Sequence, residues 1–368
     1  MRNKIITALF CFLIILGVVS GIVVKDKYYS ESEKRKLAQF PQISISKFIS
    51  GEMADDIEKY LADQFPARDS WITIKTLSEL ISGKRDDGGV YFAGGGYLIE
   101  KINGYDAEQY KKNIAALKAF SDNVKKEYGV EVRVVLVPTA VEILSDKLPS
   151  FAPHASQAAM LDYAKSAGLD IVDVTEALKK HSDEYIYYKT DHHFTSLGAY
   201  YCYAAWKAAK GETANPLSAW KSEILCDNFR GTTYAKVNYP FASYDTITAY
   251  YKTLTHRVDY NSGSYVTDSI YERKYLEGKD QYAAFLNSNQ STTVISGSGQ
   301  GKLLILKDSY ANTFSQFVID EYEETHLIDM RFYTRSISEY IKANGITEVM
   351  VMYNIPNFAG DTGITFVR

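Results

Sequence analysis

Cysteine is scarce in this chain of 368 residues, and so is any excess of charge of one sign. The three cysteines, Cys11, Cys202 and Cys226, are too few to build a disulfide framework. Lysine and arginine together number 41, and aspartate and glutamate 45, which gives a formal net charge of −4. The sequence therefore lacks the basic bias of nucleic-acid-binding proteins, and we expect no nucleic-acid partner. Hydrophobic residues at 46% and charged residues at 23% are an ordinary globular balance, which excludes wholesale disorder.

One long hydrophobic run is present, at the N-terminus. Residues 5–24 carry no charge and follow Arg2 and Lys4. As a helix this run would be about 30 Å long, the thickness of the hydrocarbon core of a bilayer. It exceeds the apolar region of a cleaved signal peptide, so we predict a transmembrane anchor over residues 1–24, with a cleaved signal as the alternative.

The orientation of this anchor follows from less direct signals. Basic residues also follow the run, so the positive-inside rule does not favour export. The tail before the run is very short, however, and the site described below suits an outside location. We therefore predict a single-pass protein of the cell membrane, with its body on the extracytoplasmic side.

Beyond residue 24 the pattern predicts four further segments. Residues 25–85 form a stalk and helical segment. An α/β domain follows in two parts, 86–210 and 301–368, separated by a tyrosine-rich β insertion over 211–300. Strands alternating with helices predict a mainly parallel sheet flanked by helices. The predicted strands of the α/β domain are 130–137, 170–174, 302–306, 326–330 and 348–353, and its predicted helices are approximately 106–128, 156–167, 196–210, 311–322 and 336–343.

The first segment that can carry chemistry is Asp191-His192-His193, just before a helix that Thr195 or Ser196 can cap. In an extended segment, residues i and i+2 project to the same side. Asp191 could therefore hydrogen-bond one ring nitrogen of His193, fix its tautomer and stabilise its charged form. That is the role of the acid in a Ser-His-Asp triad. We expect a structural or supporting role for His192.

The second segment is Asp308-Ser309, which follows an apolar strand and precedes a helix. Side chains at the carboxyl end of a parallel strand line the usual ligand crevice of an open α/β sheet. A serine hydroxyl alone is a poor nucleophile and needs a base, for which His193 is the candidate. Either segment taken singly could be only a helix cap.

A metal site is the competing interpretation of the histidine-rich region. Its candidate ligands would be His181, Asp183, Asp191, His192 and His193, which are acceptable ligand types. Their spacing fits no tight template, and adjacent histidines rarely both bind one ion. We therefore expect neither a metal nor any other cofactor.

At these residues the sequence resembles the DHHW-type proteins of Gram-positive bacteria, which are related to the SGNH-hydrolase-like alginate O-acetyltransferases. The specific strings are Asp-His-His at 191–193 and Lys-Asp-Ser-Tyr-Ala-Asn at 307–312. The resemblance implies an SGNH-hydrolase-like α/β fold, with Ser309 as nucleophile, His193 as base and Asp191 as the residue that orients it. Phe194 stands where the family has tryptophan, and Lys307 stands where hydrolases with a Gly-Asp-Ser motif have glycine.

No asparagine block for an oxyanion hole is evident in the sequence. Asn354, at the end of the last predicted strand, is our first candidate for that role, and Asn312 is the second. Within or beside the stretches that carry the resemblance, Tyr310, Arg331 and Arg230 are candidates for substrate binding.

The resemblance also implies a function. Members of the family take an acyl group exported by a membrane-bound O-acyltransferase and place it on an extracellular polysaccharide. We therefore expect an extracytoplasmic O-acetyltransferase, or an esterase if water is the acceptor, that modifies a cell-surface polysaccharide through a covalent acyl-enzyme. The expected partners are the polysaccharide, a membrane-bound O-acyltransferase as donor, and the membrane. The alternative is a non-catalytic glycan-binding or scaffold protein of an envelope-polysaccharide assembly complex.

Overall fold

The computed structural model describes residues 2–30, 35–278 and 280–368. The chain divides into two compact units. The first comprises Met1–Gly88 with Tyr234–Phe241, and the second comprises Gly89–Thr233 with Ala242–Arg368. Every residue of the predicted chemistry lies in the second unit.

The first unit is mainly helical. Its helices are α1 (Arg2–Val23), α2 (Ile45–Ser50), α3 (Glu52–Asp63) and α4 (Arg68–Ile81), and its short strands are β1 (Tyr29–Ser30), β2 (Arg35–Lys36) and β3 (Asp86–Asp87). The transmembrane anchor predicted over residues 1–24 is not supported. No helix within the described ranges has both the length and the apolar character that crossing a membrane requires.

The second unit contains the alternating elements that the sequence predicts. Its strands are β4 (Val90–Phe92), β5 (Leu98–Glu100), β6 (Val132–Val137), β7 (Lys221–Phe229), β8 (Asp245–Tyr251), β9 (Val258–Tyr260), β10 (Tyr265–Thr267), β11 (Thr292–Ser296), β12 (Lys302–Lys307), β13 (Glu324–Ile328) and β14 (Glu348–Asn354). Its helices are α5 (Ala107–Tyr128), α6 (Ala140–Ile143), α7 (Gln157–Ser166), α8 (Thr175–Lys180), α9 (Ser196–Ala209), α11 (Tyr310–Phe314), α12 (Ile337–Asn344) and α13 (Ile355–Gly360). Helix α10 (Thr232–Val237) begins in this unit.

The central sheet has seven strands, in the order β10-β9-β11-β13-β12-β14-β6. Three neighbouring pairs are parallel, β13–β12, β12–β14 and β14–β6, and the other three are antiparallel. The four strands from the α/β domain are thus parallel, as the sequence predicts, and all the antiparallel pairs involve strands of the insertion. Strands β9, β10 and β11 come from the 211–300 insertion and extend the same sheet beyond β13 with antiparallel pairing.

Two further elements differ from their predictions. The strand predicted at 170–174 is reduced to a single bridge between Ile171 and Val134 at the edge of β6. The helix predicted over 311–322 is α-helical only from Tyr310 to Phe314, after which the chain continues in 3₁₀ turns.

Both faces of the central sheet are covered, which explains the continuous apolar pattern of β12. Leu303 and Ile305 enter the hydrophobic core that contains α9, whereas Leu304 and Leu306 enter the core that contains α5. Strand β12 is therefore held from both sides. The backbone of Asp308, the residue that follows β12, is therefore fixed by the packing of that strand.

Candidate active site

Ser309 lies at the carboxyl end of β12, between that strand and helix α11. It is partly exposed, whereas its neighbours Asp308 and Tyr310 are buried. Its hydroxyl oxygen Oγ lies 2.7 Å from Nε2 of His193. The sheet thus presents this hydroxyl, within hydrogen-bonding distance of an imidazole, at the edge where open α/β sheets bind ligands.

The ring of His193 is oriented by Asp191. Oδ1 of Asp191 accepts hydrogen bonds from Nδ1 of His193 at 2.5 Å and from the backbone N–H of His193 at 3.0 Å. An ionised carboxylate only accepts hydrogen bonds, so Nδ1 carries the proton of a neutral ring. Nε2 then holds a lone pair, and the hydroxyl of Ser309 donates to it. The structure brings together the three residues that the sequence predicts as the triad.

The other oxygen of Asp191 is held by residues that sequence reasoning did not assign to the site. Oδ2 accepts from the backbone N–H of Thr232 at 2.7 Å and from its hydroxyl at 2.9 Å. A Cβ on Gly231 would lie 2.2 Å from both Cβ and Oδ2 of Asp191, so only glycine fits beside this carboxylate. Both residues follow Arg230, which the sequence predicts to bind substrate, but neither belongs to a catalytic pattern of its own.

Asp245, on β8 of the insertion, holds the backbone just before Asp191. Its carboxylate accepts hydrogen bonds from the N–H of Lys189 at 2.9 Å, from the N–H of Thr190 at 2.7 Å and from the hydroxyl of Thr190 at 2.6 Å. Tyr185 also donates to it. These contacts fix the two residues that precede Asp191, so the insertion helps to position the triad.

Tyr282, also from the insertion, packs against the triad histidine. Its ring is stacked on that of His193, with centroids 3.7 Å apart and an angle of 11° between the planes. Its hydroxyl donates to the carbonyl oxygen of Ser309 at 3.1 Å and is also bonded to the hydroxyl of Thr313. Burial raises the pKa of Tyr282 well above its ordinary value, so the ring stays neutral. It therefore limits the movement of both the imidazole and the serine turn.

Asp308 ties the serine turn to the end of β14. Its Oδ1 accepts from the N–H of Tyr310, and its Oδ2 accepts from the N–H and the amide Nδ2 of Asn354 and from Nδ2 of Asn357. Of the two oxyanion candidates, Asn354 lies beside the site, because it lines a cavity together with Asp191 and His192.

Asn312, the second oxyanion candidate, is engaged elsewhere. Its Oδ1 accepts from the ammonium of Lys307 at 2.7 Å, and its Nδ2 donates to the carbonyl of Ser288 at 3.3 Å. Lys307 also donates to Oδ1 of Asn289, and its burial lowers its pKa to about 8. Asn312 is thus part of a buried network under the serine turn, which corrects its assignment as an oxyanion donor.

The three residues predicted to bind substrate have structural contacts. Tyr310 is fully buried, and its hydroxyl donates to the carbonyl of His192 at 2.5 Å. Arg331 donates to both carboxylate oxygens of Asp329. Arg230 donates to the carbonyl of Ala242, and its guanidinium lies 4.2 Å from the centre of the Tyr244 ring. None of the three lines the cavity beside the triad. Burial removes Tyr310 from reach of a substrate, whereas substrate binding by the exposed Arg331 and the partly exposed Arg230 stays a prediction.

That cavity has a volume of about 140 Å³. It is far smaller than a pocket that encloses a drug-sized ligand, so it can hold only the edge of a larger molecule. Its walls combine apolar and polar side chains, which include Leu98, Ile102, Val141, Glu100, His192 and Asn354.

The alternative interpretation, a metal site, involves the same residues. The potential ligand atoms of Asp191, His192 and His193 all lie within 4.8 Å of one another. Both ring nitrogens of His193 are nevertheless engaged, one by Asp191 and one by Ser309. His181 stands apart from this group, bonded to Glu184 and stacked on Tyr201. The contacts of His193 fit a proton-transfer chain better than a metal site.

Comparisons with known proteins give the chain its family. It is similar to a solved DHHW family protein from Eubacterium siraeum, with 27% identity and a TM-score of 0.66 over 76% of this chain and 95% of that one. It is also similar in fold to Bacillus cereus PatB1, solved with a sulfonyl adduct, at 20% identity and a TM-score of 0.61 over 74% of this chain and 98% of that one. The O-acetyltransferase domain of Pseudomonas putida AlgJ is more distant, at 13% identity and a TM-score of 0.49 over 74% of this chain and 93% of that one.

A search of curated proteins finds no match. A scan against family models matches residues 88–328, more than half of the chain, to the family described as DHHW protein. The predicted resemblance is confirmed: this chain belongs to the DHHW family.

Proposed function

We propose that this chain is an SGNH-like O-acetyltransferase, or an esterase, that acts on a cell-surface polysaccharide through an acyl-enzyme on Ser309. The observation that supports this proposal is the continuous hydrogen-bond chain from Ser309 through His193 to Asp191, with contacts of 2.7 and 2.5 Å. A serine hydroxyl bonded to an oriented imidazole is the arrangement that activates a weak nucleophile.

In the first half of the proposed reaction, Oγ of Ser309 attacks the carbonyl carbon of the acyl donor while Nε2 of His193 takes the hydroxyl proton. Asp191 stabilises the resulting imidazolium. His193 then gives the proton to the departing group, and the acyl group remains as an ester on Ser309. Asn354 is our candidate for stabilising the oxyanion, since its amide has two N–H groups and lines the cavity, while its Nδ2 also donates to Asp308.

In the second half, an acceptor hydroxyl loses its proton to His193 and attacks the ester carbon. A sugar hydroxyl as acceptor makes the protein a transferase, and water makes it an esterase. The polysaccharide substrate and a membrane-bound O-acyltransferase as acyl donor are proposed from the sequence resemblance of the 191–193 and 307–312 strings.

We also propose that the body of the protein is extracytoplasmic, because its proposed substrate is. Protease added to intact cells is expected to digest the body. Full protection, while an outer-surface control protein is digested, would contradict this placement.

Covalent labelling of Ser309 tests the proposed function directly. PatB1 has been solved with a sulfonyl adduct, so a sulfonyl fluoride is a suitable probe alongside an activated acetyl ester. We expect mass spectrometry to locate both adducts on the peptide that contains Ser309, and no adduct on that peptide in Ser309→Ala. Absence of both adducts and of ester turnover in the wild-type protein would contradict the proposal and favour a non-catalytic scaffold.

A further inference from the structure

His192 differs from its neighbour His193 in having one ring nitrogen without a protein partner. Its Nδ1 lies 2.6 Å from the hydroxyl of Thr232. Throughout the described part of the chain, no group is hydrogen-bonded to its Nε2. The residue is partly exposed and lines the cavity, whereas His193 is buried. His192 therefore has a hydrogen-bonding atom to offer to a ligand.

The state of that atom follows from the protons of its neighbours. The hydroxyl of Thr232 has a single proton, which it donates to Oδ2 of Asp191. The contact between Thr232 and His192 must then be donated by Nδ1–H of His192. In the neutral ring, Nε2 is consequently an acceptor with a free lone pair. Asp191 thus sets the tautomer of both histidines, directly for His193 and through Thr232 for His192.

The two imidazoles are packed against each other, with ring centroids 3.8 Å apart and an angle of 37° between the ring planes. Nε2 of His193 is committed to Ser309 and, in the proposed reaction, to the acceptor hydroxyl. A second acceptor atom on the adjacent ring suits a ligand with two neighbouring hydroxyl groups. The apolar side chains of Leu98, Ile102 and Val141 on the same cavity suit the C–H surface of a ring.

We propose that the cavity is the acceptor subsite and that His192 selects acceptors with vicinal hydroxyl groups. This inference rests on the proposed function. One hydroxyl is acylated, and its neighbour donates a hydrogen bond to Nε2 of His192. His192 is a positioning residue in this scheme and exchanges no proton.

In the transfer step, every bond that forms is matched by one that breaks. The acceptor oxygen forms a bond to the acyl carbon, and its proton moves to Nε2 of His193. The bond from the acyl carbon to Oγ of Ser309 then breaks, and Oγ recovers the proton from His193. The acceptor has exchanged a hydrogen for an acyl group, and the enzyme returns to its starting state.

The test separates acylation from transfer, using the full chain and an activated acetyl ester as donor. Release of the leaving group measures acylation of Ser309. Transfer is measured to trans-1,2-cyclohexanediol, to its cis isomer and to cyclohexanol, which has a single hydroxyl. The wild-type protein is expected to prefer at least one diol to cyclohexanol by about ten-fold in kcat/KM for the acceptor, beyond the two-fold statistical effect. In His192→Ala the preference should fall to about two-fold, and transfer should lose more than acylation does.

Two further variants complete the design. His154→Ala removes an exposed histidine outside the cavity and should match the wild-type protein throughout. His192→Gln keeps an acceptor atom and should keep part of the diol preference, and it replaces the alanine variant if that variant does not fold.

Each result decides the proposal. Equal losses of acylation and transfer in the His192 variants would mean that His192 only supports His193, which overturns the selection of acceptors. Unchanged diol preference in those variants, or none in the wild-type protein, would overturn it as well. Failure of the wild-type protein to be acylated would contradict the proposed function itself. This failure is distinguishable from the others because acylation is measured without an acceptor.

Discussion

Ser309→Ala is expected to lower the rate of acyl transfer by about 10⁴-fold or more, because it removes the oxygen that forms the acyl-enzyme. His193→Ala should be as severe, since the hydroxyl of Ser309 then has no base to take its proton. The double variant should be little worse than either single one, because the residues act as a unit. The measurement is transfer of acetyl from an activated ester to a sugar acceptor, with circular dichroism to verify folding.

Two controls sharpen this experiment. His154→Ala, at an exposed histidine, should retain full activity. Prior treatment with a chelator should leave wild-type activity unchanged, whereas a metal held by Asp191, His192 and His193 would make activity sensitive to it. Full activity in Ser309→Ala would refute the covalent mechanism.

The placement of the proposed catalytic residues could be predicted from the sequence where it depends on local geometry. Asp191 and His193 are two residues apart, and their contact follows from an extended backbone. Ser309 follows a continuous apolar strand, which places it at the carboxyl edge of the sheet. The sequence could not supply the contact between Ser309 and His193, which are 116 residues apart, because that contact depends on the tertiary fold.

The residues that support the triad could not be predicted, because they come from the insertion. Asp245 and Tyr282 lie in a segment whose short strands and many tyrosines carry no catalytic pattern. Gly231 reveals its role only when the distance to Asp191 is known. The same lack of long-range information explains why the sequence predicts a β-rich insertion without showing that β9, β10 and β11 join the central sheet.

The contacts of the candidates for substrate binding could not be predicted from the sequence either. Tyr310, Arg331 and Arg230 are residue types that often contact glycans, but each satisfies a group within the protein itself. Residue type does not reveal which contacts a side chain makes in the folded protein. His192, for which we expected a structural or supporting role, is the one of these residues that lines the cavity.

Asp191→Asn is expected to lower activity by about 10⁴-fold even though the side chain keeps its shape. The reason lies in the donors around the carboxylate. Each oxygen position of residue 191 faces one backbone donor, the N–H of His193 at Oδ1 and the N–H of Thr232 at Oδ2. The hydroxyl of Thr232 adds a second donor at Oδ2, so we expect the asparagine to place its carbonyl oxygen there. Its NH₂ group then occupies the Oδ1 position and donates to Nδ1 of His193. The imidazole is driven to the tautomer with hydrogen on Nε2, which cannot accept the proton of Ser309.

The tautomer can be measured separately from activity. Nitrogen chemical shifts of ring-labelled His193 should show hydrogen on Nδ1 in the wild-type protein and on Nε2 in Asp191→Asn, with the rest of the spectrum preserved. Thr232→Val in the Asp191→Asn background removes one of the two donors that fix the amide, and should recover part of the lost activity by letting the amide turn over. An Asp191→Asn protein that retains hydrogen on Nδ1 and full activity would show that Asp191 does not orient the base, and the triad would then reduce to Ser309 and His193.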